Sequence, residues 1–172
     1  KINTKLNHSK NKSNTKVLVA SFVHQLGYVY TECLIASYIS KIKNVKIIGL
    51  MDDNDNTTKN FLNSFNSVEN TFLKKLKFFK KVKYLYKFYK ILKKYQTVEN
   101  FVKFKIGGID IGAGVYDHYI RNSNNPSANS LNYKFIIFLS DALYVNDFCS
   151  NFFKNNKIDF MIMSEKQFLP SS

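Results

Sequence analysis

Two short, largely apolar runs rich in β-branched residues, Val17 to Phe22 and Val45 to Leu50, interrupted only by Ser21 and Lys46, bracket a stretch in which Val29, Cys33, Ala36 and Ile39 or Ser40 recur at helical spacing. A strand that is apolar at every position, not at alternate ones, buries both faces, the condition of a strand inside a parallel sheet covered by helices. Parallel neighbours need a crossover of a dozen or more residues. The stretch from Tyr28 to about Lys43 supplies one, after the turn His24-Gln25-Leu26-Gly27. The unit is βαβ, and the fold class is α/β: a Rossmann-like parallel sheet flanked by helices. Further on, residues 52 to 70 read as a polar, Asn-rich loop running into a helix. Phe101 to Ile106 reads as a short strand or extended stretch, Tyr133 to Asn155 as a long helix and Ile158 to Met163 as a third strand.

The chain has 172 residues, the size of one domain, and at 45% hydrophobic and 16% aromatic it carries enough apolar side chain to bury a core. That composition excludes a disordered basic tail. No apolar run reaches the roughly 18 to 20 residues that span a bilayer. Cys33 and Cys149 are isolated, with no CxxC or metal spacing, and read as reduced, buried thiols of a cytosolic protein. The polar, aperiodic stretch 1–15 reads as a disordered leader; no apolar signal segment follows its basic start. At the other end, a strand followed only by the loop Ser164 to Pro170 suggests a chain that is one part of a longer protein.

The net charge of +14, from 26 Lys+Arg against 12 Asp+Glu, invites a nucleic-acid reading that the residue types weaken. All the basic residues but Arg121 are lysines, and Asn, Ile, Phe and Tyr are abundant too, the joint excess expected of an AT-rich coding sequence. Base-edge readout and bidentate phosphate clamps favour arginine. The charge is concentrated in one place: Phe72 to Tyr95 holds ten lysines and no acid. Lys80, Lys83, Lys87, Lys90 and Lys94 step by three or four and form one stripe of a long amphipathic helix over 72–95, with Phe79, Val82, Tyr86, Tyr89 and the Leu85/Phe88/Leu92 row around the rest. Such a helix is either an ordinary one with a solvated lysine face or one that meets a membrane surface or another anionic partner; nucleic acid ranks below both.

In open α/β sheets ligands bind beyond the carboxyl ends of the strands. The loop after the first strand holds His24, a candidate general base because imidazole titrates near neutrality, and Gly27, which would let a substrate approach the next helix. Both also have plain structural readings, a hydrogen-bonding turn histidine and a turn glycine. Glu165 follows the last strand and shares the argument for substrate contact. Asp52 and Asp53 end the second strand and suit a cap or turn. Asp117, His118 and Arg121 lie within about one helical turn, with Asp117 and Arg121 able to pair at i, i+4, either as a structural pair or as a contact for a sugar hydroxyl, pyrophosphate or carboxylate. The glycines of Gly107 to Gly114 lack both the dinucleotide fingerprint and a terminal GK[ST]; they fit close backbone approach or positive φ ahead of a helix near Val115. No HExxH, GxSxG or kinase signature and no clustered metal ligands are present, so no metal and no cofactor is expected.

The segment Ile111-Gly-x-x-Val115-Tyr116-Asp117-x-Tyr119-Ile120-Arg121 resembles the Ile-Gly-Asp-x-Ile-Tyr-Asp-x-Tyr-Leu-Arg segment of bacterial surface or capsular polysaccharide biosynthesis proteins with a GT-B-like glycosyltransferase architecture. The order of strand, His-x-x-Gly turn, crossover helix and Val45-Lys-Ile-Ile-Gly-Leu-Met-Asp52 is similar to their N-terminal half. Ala113 stands where that family has Asp, and Ser164-Glu165 where it has Ser-His. The resemblance spans roughly Lys16 to Glu165. It implies an acceptor-side Rossmann-like domain over 16–172, a nucleotide-sugar donor held mostly by a C-terminal domain outside this chain, a glycan or lipid-linked acceptor, and a cytoplasmic location, peripheral at the inner membrane face. On that reading His24 is the catalytic base, while Gly27, Asp117, His118, Arg121 and Glu165 contact substrate. The competing reading is a non-catalytic α/β module that docks a membrane surface or acidic partner through its basic helix.

Overall fold

A computed structural model describes residues 15–22, 26–42, 45–53, 55–65, 69–74, 78–123, 127–128 and 130–164, with backbone alone at 42, 69, 70, 78–80 and 92. Ten elements follow one another: β1 (Lys16–Ser21), α1 (Leu26–Ile42), β2 (Lys46–Asp52), α2 (Asn56–Ser64), β3 (Glu69–Leu73), α3 (Phe78–Lys94), α4 (Val98–Val102), α5 (Ile111–Ser123), α6 (Tyr133–Asn155) and β4 (Phe160–Ile162). The strands form one parallel sheet in the order β3-β2-β1-β4. This is an α/β, Rossmann-like fold.

The apolar runs behave as two-faced strands should. Val19, Ile47 and Met51 pack with Val29, Cys33 and Ala36 of α1 and Leu62 of α2 on one face, while Leu18, Ala20, Ile48 and Leu50 pack with Phe152 of α6 on the other. Helices on opposite faces match the strand order: the chain steps from β1 to β2 to β3 in one direction with α1 and α2 on one face. It then returns past β1 to β4 with α6 on the other face, as same-handed crossovers require.

Three corrections to the sequence reading arise between Asp52 and Ile111. The stretch 52–70 contains a complete helix, α2, whose N-cap Asp55 accepts from the Thr58 backbone N–H at 2.9 Å, and it runs into β3, a strand with no long apolar run. Phe72, read as the start of the basic helix, therefore belongs to β3, and α3 covers Phe78–Lys94. Phe101 is not in a strand: Val98–Val102 is the short helix α4, capped by the Thr97 hydroxyl oxygen, and Ile106 bridges only to Ile109 around Gly107 and Gly108. Those two glycines take φ of 55° and 85°, left-handed values that a side chain makes costly.

The helix α5 then starts at Ile111, four residues before Val115, and Gly112 lets it approach α4. A Cβ there would run into the Phe101 carbonyl, while the Gly112 N–H donates to Phe104 O at 2.9 Å. A second core, separate from the sheet, results: Tyr84 and Phe88 of α3, Phe101, Phe104, Val115 and Tyr119 pack around Phe135, Leu139 and Leu143 of α6. The expected helix Tyr133 to Asn155 is α6, whose 23 residues serve both cores. Its far end sits at the amino edge of the sheet, where the Asp159 N–H donates to Lys16 O, and its Tyr144 hydroxyl donates to Lys74 O just past β3. The first half of α6 and the helices packed on it therefore stand beyond the carboxyl edge of the strands.

Candidate functional site

The direction of chain travel reverses between β1 and β4, which makes the carboxyl ends of these two strands the switch point, the place where sheets of this kind bind ligands. Three described residues meet at it. Ser21 ends β1 on the α1 face, two residues after Val19, and continuing the Val19↔Ile162 register places Ser164 beside it. Glu32, on the flank of α1 nearest β4, accepts from the Ser164 backbone N–H through Oε1 at 2.8 Å. Its other oxygen, Oε2, and the Ser21 hydroxyl are fully buried and have no hydrogen-bond partner among the described residues. Glu32 is 3% exposed and Ser21 2%.

A buried carboxylate oxygen left without a donor costs on the order of 1–3 kcal/mol or more, because desolvation is not offset. Most native folds avoid it. Glu32 Oε2 and the Ser21 hydroxyl are two such buried, unsatisfied atoms, both near the switch point. Next to it, the Cys33 thiol is pushed up to about 11 by burial first and by the Glu32 charge second, which leaves it protonated and inert. The sequence gives little hint of Glu32: it stands among apolar helix positions, and only the α1–β4 packing turns it inward.

The residues singled out from the sequence divide into three sets. His24 and Glu165 lie outside the described residues, as does the leader up to residue 14. Gly27 is the second residue of α1; nothing stands within 4 Å of where a Cβ would be, and its carbonyl accepts from the Thr31 hydroxyl at 2.8 Å. Asp117, His118 and Arg121 lie on α5, a helix packed in the second core and not on the sheet. Arg121 Nε donates to Asp117 Oδ2 at 3.0 Å, the i, i+4 pair read from the spacing, and both side chains are about half exposed.

His118 abuts Phe138 edge-on, with 4.6 Å between ring centroids. Burial lowers its pKa below the usual 6.5, opposed by the charges of Asp117 and Asp141, so the imidazole is neutral at pH 7 and suited to accept a proton. Because α6 rises past the carboxyl edge, His118 and Asp141 stand beyond the same edge of the sheet as the switch point, although α6 packs on the face opposite to α1. Asp53, ending the β2 turn, is close enough to add to the raised pKa of Tyr144, which burial dominates.

Other concave surface lies elsewhere. An apolar groove of about 450 Å³ runs between the end of α1 and the amino ends of β1 and β4, lined by Val17, Tyr38, Ile39, Phe160 and Ile162. It sits at the edge of the sheet opposite the switch point. Among the described residues no group of three His, Cys, Asp or Glu could hold a metal ion, and no helix is long and apolar enough to cross a membrane.

The architecture is that of a doubly wound, Rossmann-like α/β domain with a strand-order switch point between β1 and β4. No family model, no curated protein and no solved structure matches the chain.

Proposed function

We propose that this chain is a glycosyltransferase-like domain of surface or capsular polysaccharide biosynthesis, acting in the transfer of a sugar from a nucleotide-activated donor to a glycan or lipid-linked acceptor. The observation that carries the reading is Glu32 Oε2, buried near the β1–β4 switch point with no hydrogen-bond partner among the described residues. A sugar hydroxyl both donates and accepts, so one can donate to that carboxylate oxygen and satisfy it. The likeness of Ile111 to Arg121 to the polysaccharide-biosynthesis segment supports the choice of chemistry, and α5 presents that segment as one helix beyond the carboxyl edge of the sheet.

His24, on the β1–α1 connection, remains the proposed base, with Gly27, Asp117, His118, Arg121 and Glu165 as proposed substrate contacts. The donor is proposed to be held mostly by residues outside this chain. No cofactor enters the reading.

Saturation-transfer NMR of the chain against a panel of nucleotide sugars and oligosaccharides tests it, with sugar transfer measured on the longest protein that contains the chain. Saturable saccharide binding that weakens at least tenfold in Glu32→Gln, and transfer lost in His24→Ala, are the expected results. Absence of binding to any glycan or sugar nucleotide, with the fold intact by circular dichroism, overturns the proposal.

A further inference from the structure

The basic helix does not divide as its sequence suggests. Its seven lysines within Phe78–Lys94 are accompanied by no acidic residue, yet the side chains that anchor it to α6 are Tyr84 and Phe88, buried in the helical core. At about 100° per residue, Val82, Tyr86, Tyr89 and Lys93 form a ridge on the side opposite that anchor. Val82 is 49% exposed, Tyr86 63% and Tyr89 56%, and Leu85 beside them is 40% exposed. A continuous aliphatic and aromatic ridge therefore faces outward, with the lysines beside it.

The lysines flank that ridge. Lys83, Lys90 and Lys94 are exposed in the next row, and the ammonium groups of Lys90 and Lys93 lie over the Tyr86 and Tyr89 rings at 4.9 and 4.8 Å. Lys87, in the same row, is taken by Asp147 of α6 at 2.9 Å and is not available to a partner. For Lys80 only the backbone is described.

We propose that the outward face of α3 is a docking surface for an anionic lipid bilayer, with the Val82–Tyr86–Tyr89 ridge entering the headgroup layer and Lys83, Lys90, Lys93 and Lys94 reaching lipid phosphates. Two features select this occupant. Charge complementarity excludes a second copy meeting the same face about a two-fold axis, since two acid-free lysine arrays would be opposed. Val82 and Leu85 have nothing to match on a phosphate backbone, whereas acyl chains receive them, and amphipathic tyrosines suit the boundary between headgroup and hydrocarbon. Each exposed lysine near an anionic surface strengthens binding by roughly fivefold. This surface lies on α3, a helix of the second core, and stands or falls independently of the proposed saccharide contacts at Glu32.

Co-sedimentation of the chain with phosphatidylcholine vesicles, with and without phosphatidylglycerol, tests the proposal. Binding is expected only with the anionic lipid. The triple replacement Lys83→Gln, Lys90→Gln, Lys94→Gln should lower the partition on the order of a hundredfold. The ridge triple Val82→Ser, Tyr86→Ser, Tyr89→Ser should abolish the part of the binding that survives high salt, and Lys87→Gln should change little. All replaced side chains except Lys87 are exposed, so circular dichroism should show each variant folded. Equal partition onto neutral and anionic vesicles, unchanged binding in the ridge triple, ridge-dependent dimers in sedimentation velocity without lipid, or binding to single-stranded RNA with none to vesicles would each overturn it.

Discussion

Glu32 shows how little a residue's type says until its neighbours are known. On α1 it is one acid in a run of apolar positions; in the fold it is 3% exposed, ties the end of β4 through the Ser164 N–H and leaves one oxygen unsatisfied. Replacing it with leucine removes the unsatisfied oxygen along with the bond to Ser164. Thermal unfolding should show Glu32→Leu within about 1 kcal/mol of the parent, because the two effects oppose one another. His118 gives a pH signature. Its folded pKa lies below the usual 6.5, so the unfolded chain binds the proton more readily, and stability should fall as pH drops below about 6.5. Melting temperatures across pH 5 to 8, compared with His118→Gln, check this: the variant should lose that part of the slope. Both cysteines are held protonated by burial, Cys33 up to about 11, so a thiol reagent at pH 8 should label neither in the native protein and both in guanidinium.

At the scale of elements, the clearest rules were those that depend on nearby residues. The two apolar runs identified β1 and β2, and the periodicity of Tyr133 to Asn155 identified α6 to the residue. The strand β3 was not legible, because at a sheet edge it needs only Phe72 on one face and Leu73 on the other, too few apolar positions to form a run. The meeting of α4 and α5 was half legible: the glycine cluster announced close approach or positive φ, and Gly107, Gly108 and Gly112 divide those roles. A side chain at Gly112 meets backbone, not a movable side-chain tip. Gly112→Ala should therefore cost roughly 1–3 kcal/mol or more in denaturant unfolding, whereas Gly114→Ala, with nothing near its Cβ position, should stabilise α5 slightly.

Among the described residues, α6 joins the helical core to one face of the sheet, and the responses of the two should separate accordingly. Phe135, fully buried among Phe101, Tyr116 and Tyr119, belongs to the helical core, and Phe152 to the sheet. Phe135→Ala should cost about 3–5 kcal/mol, and hydrogen exchange should show the loss of protection concentrated in α4 and α5, with β1 and β2 least affected.

The sequence by itself determined the class of fold, since apolar runs, helical periodicity and crossover length are properties of short segments and survive without knowledge of the rest. It also located the acid-free lysine segment, and the Asp117–Arg121 pair followed from spacing on one helix. Only the tertiary structure decided which face of that basic segment is buried, because Tyr84 and Phe88 outcompete Tyr86 and Tyr89 for α6 through the position of the partner helix and not through residue type. The same holds at the switch point: Glu32 is turned inward and bonded to the Ser164 backbone only where β4, arriving from more than a hundred residues away, closes against β1 and α1.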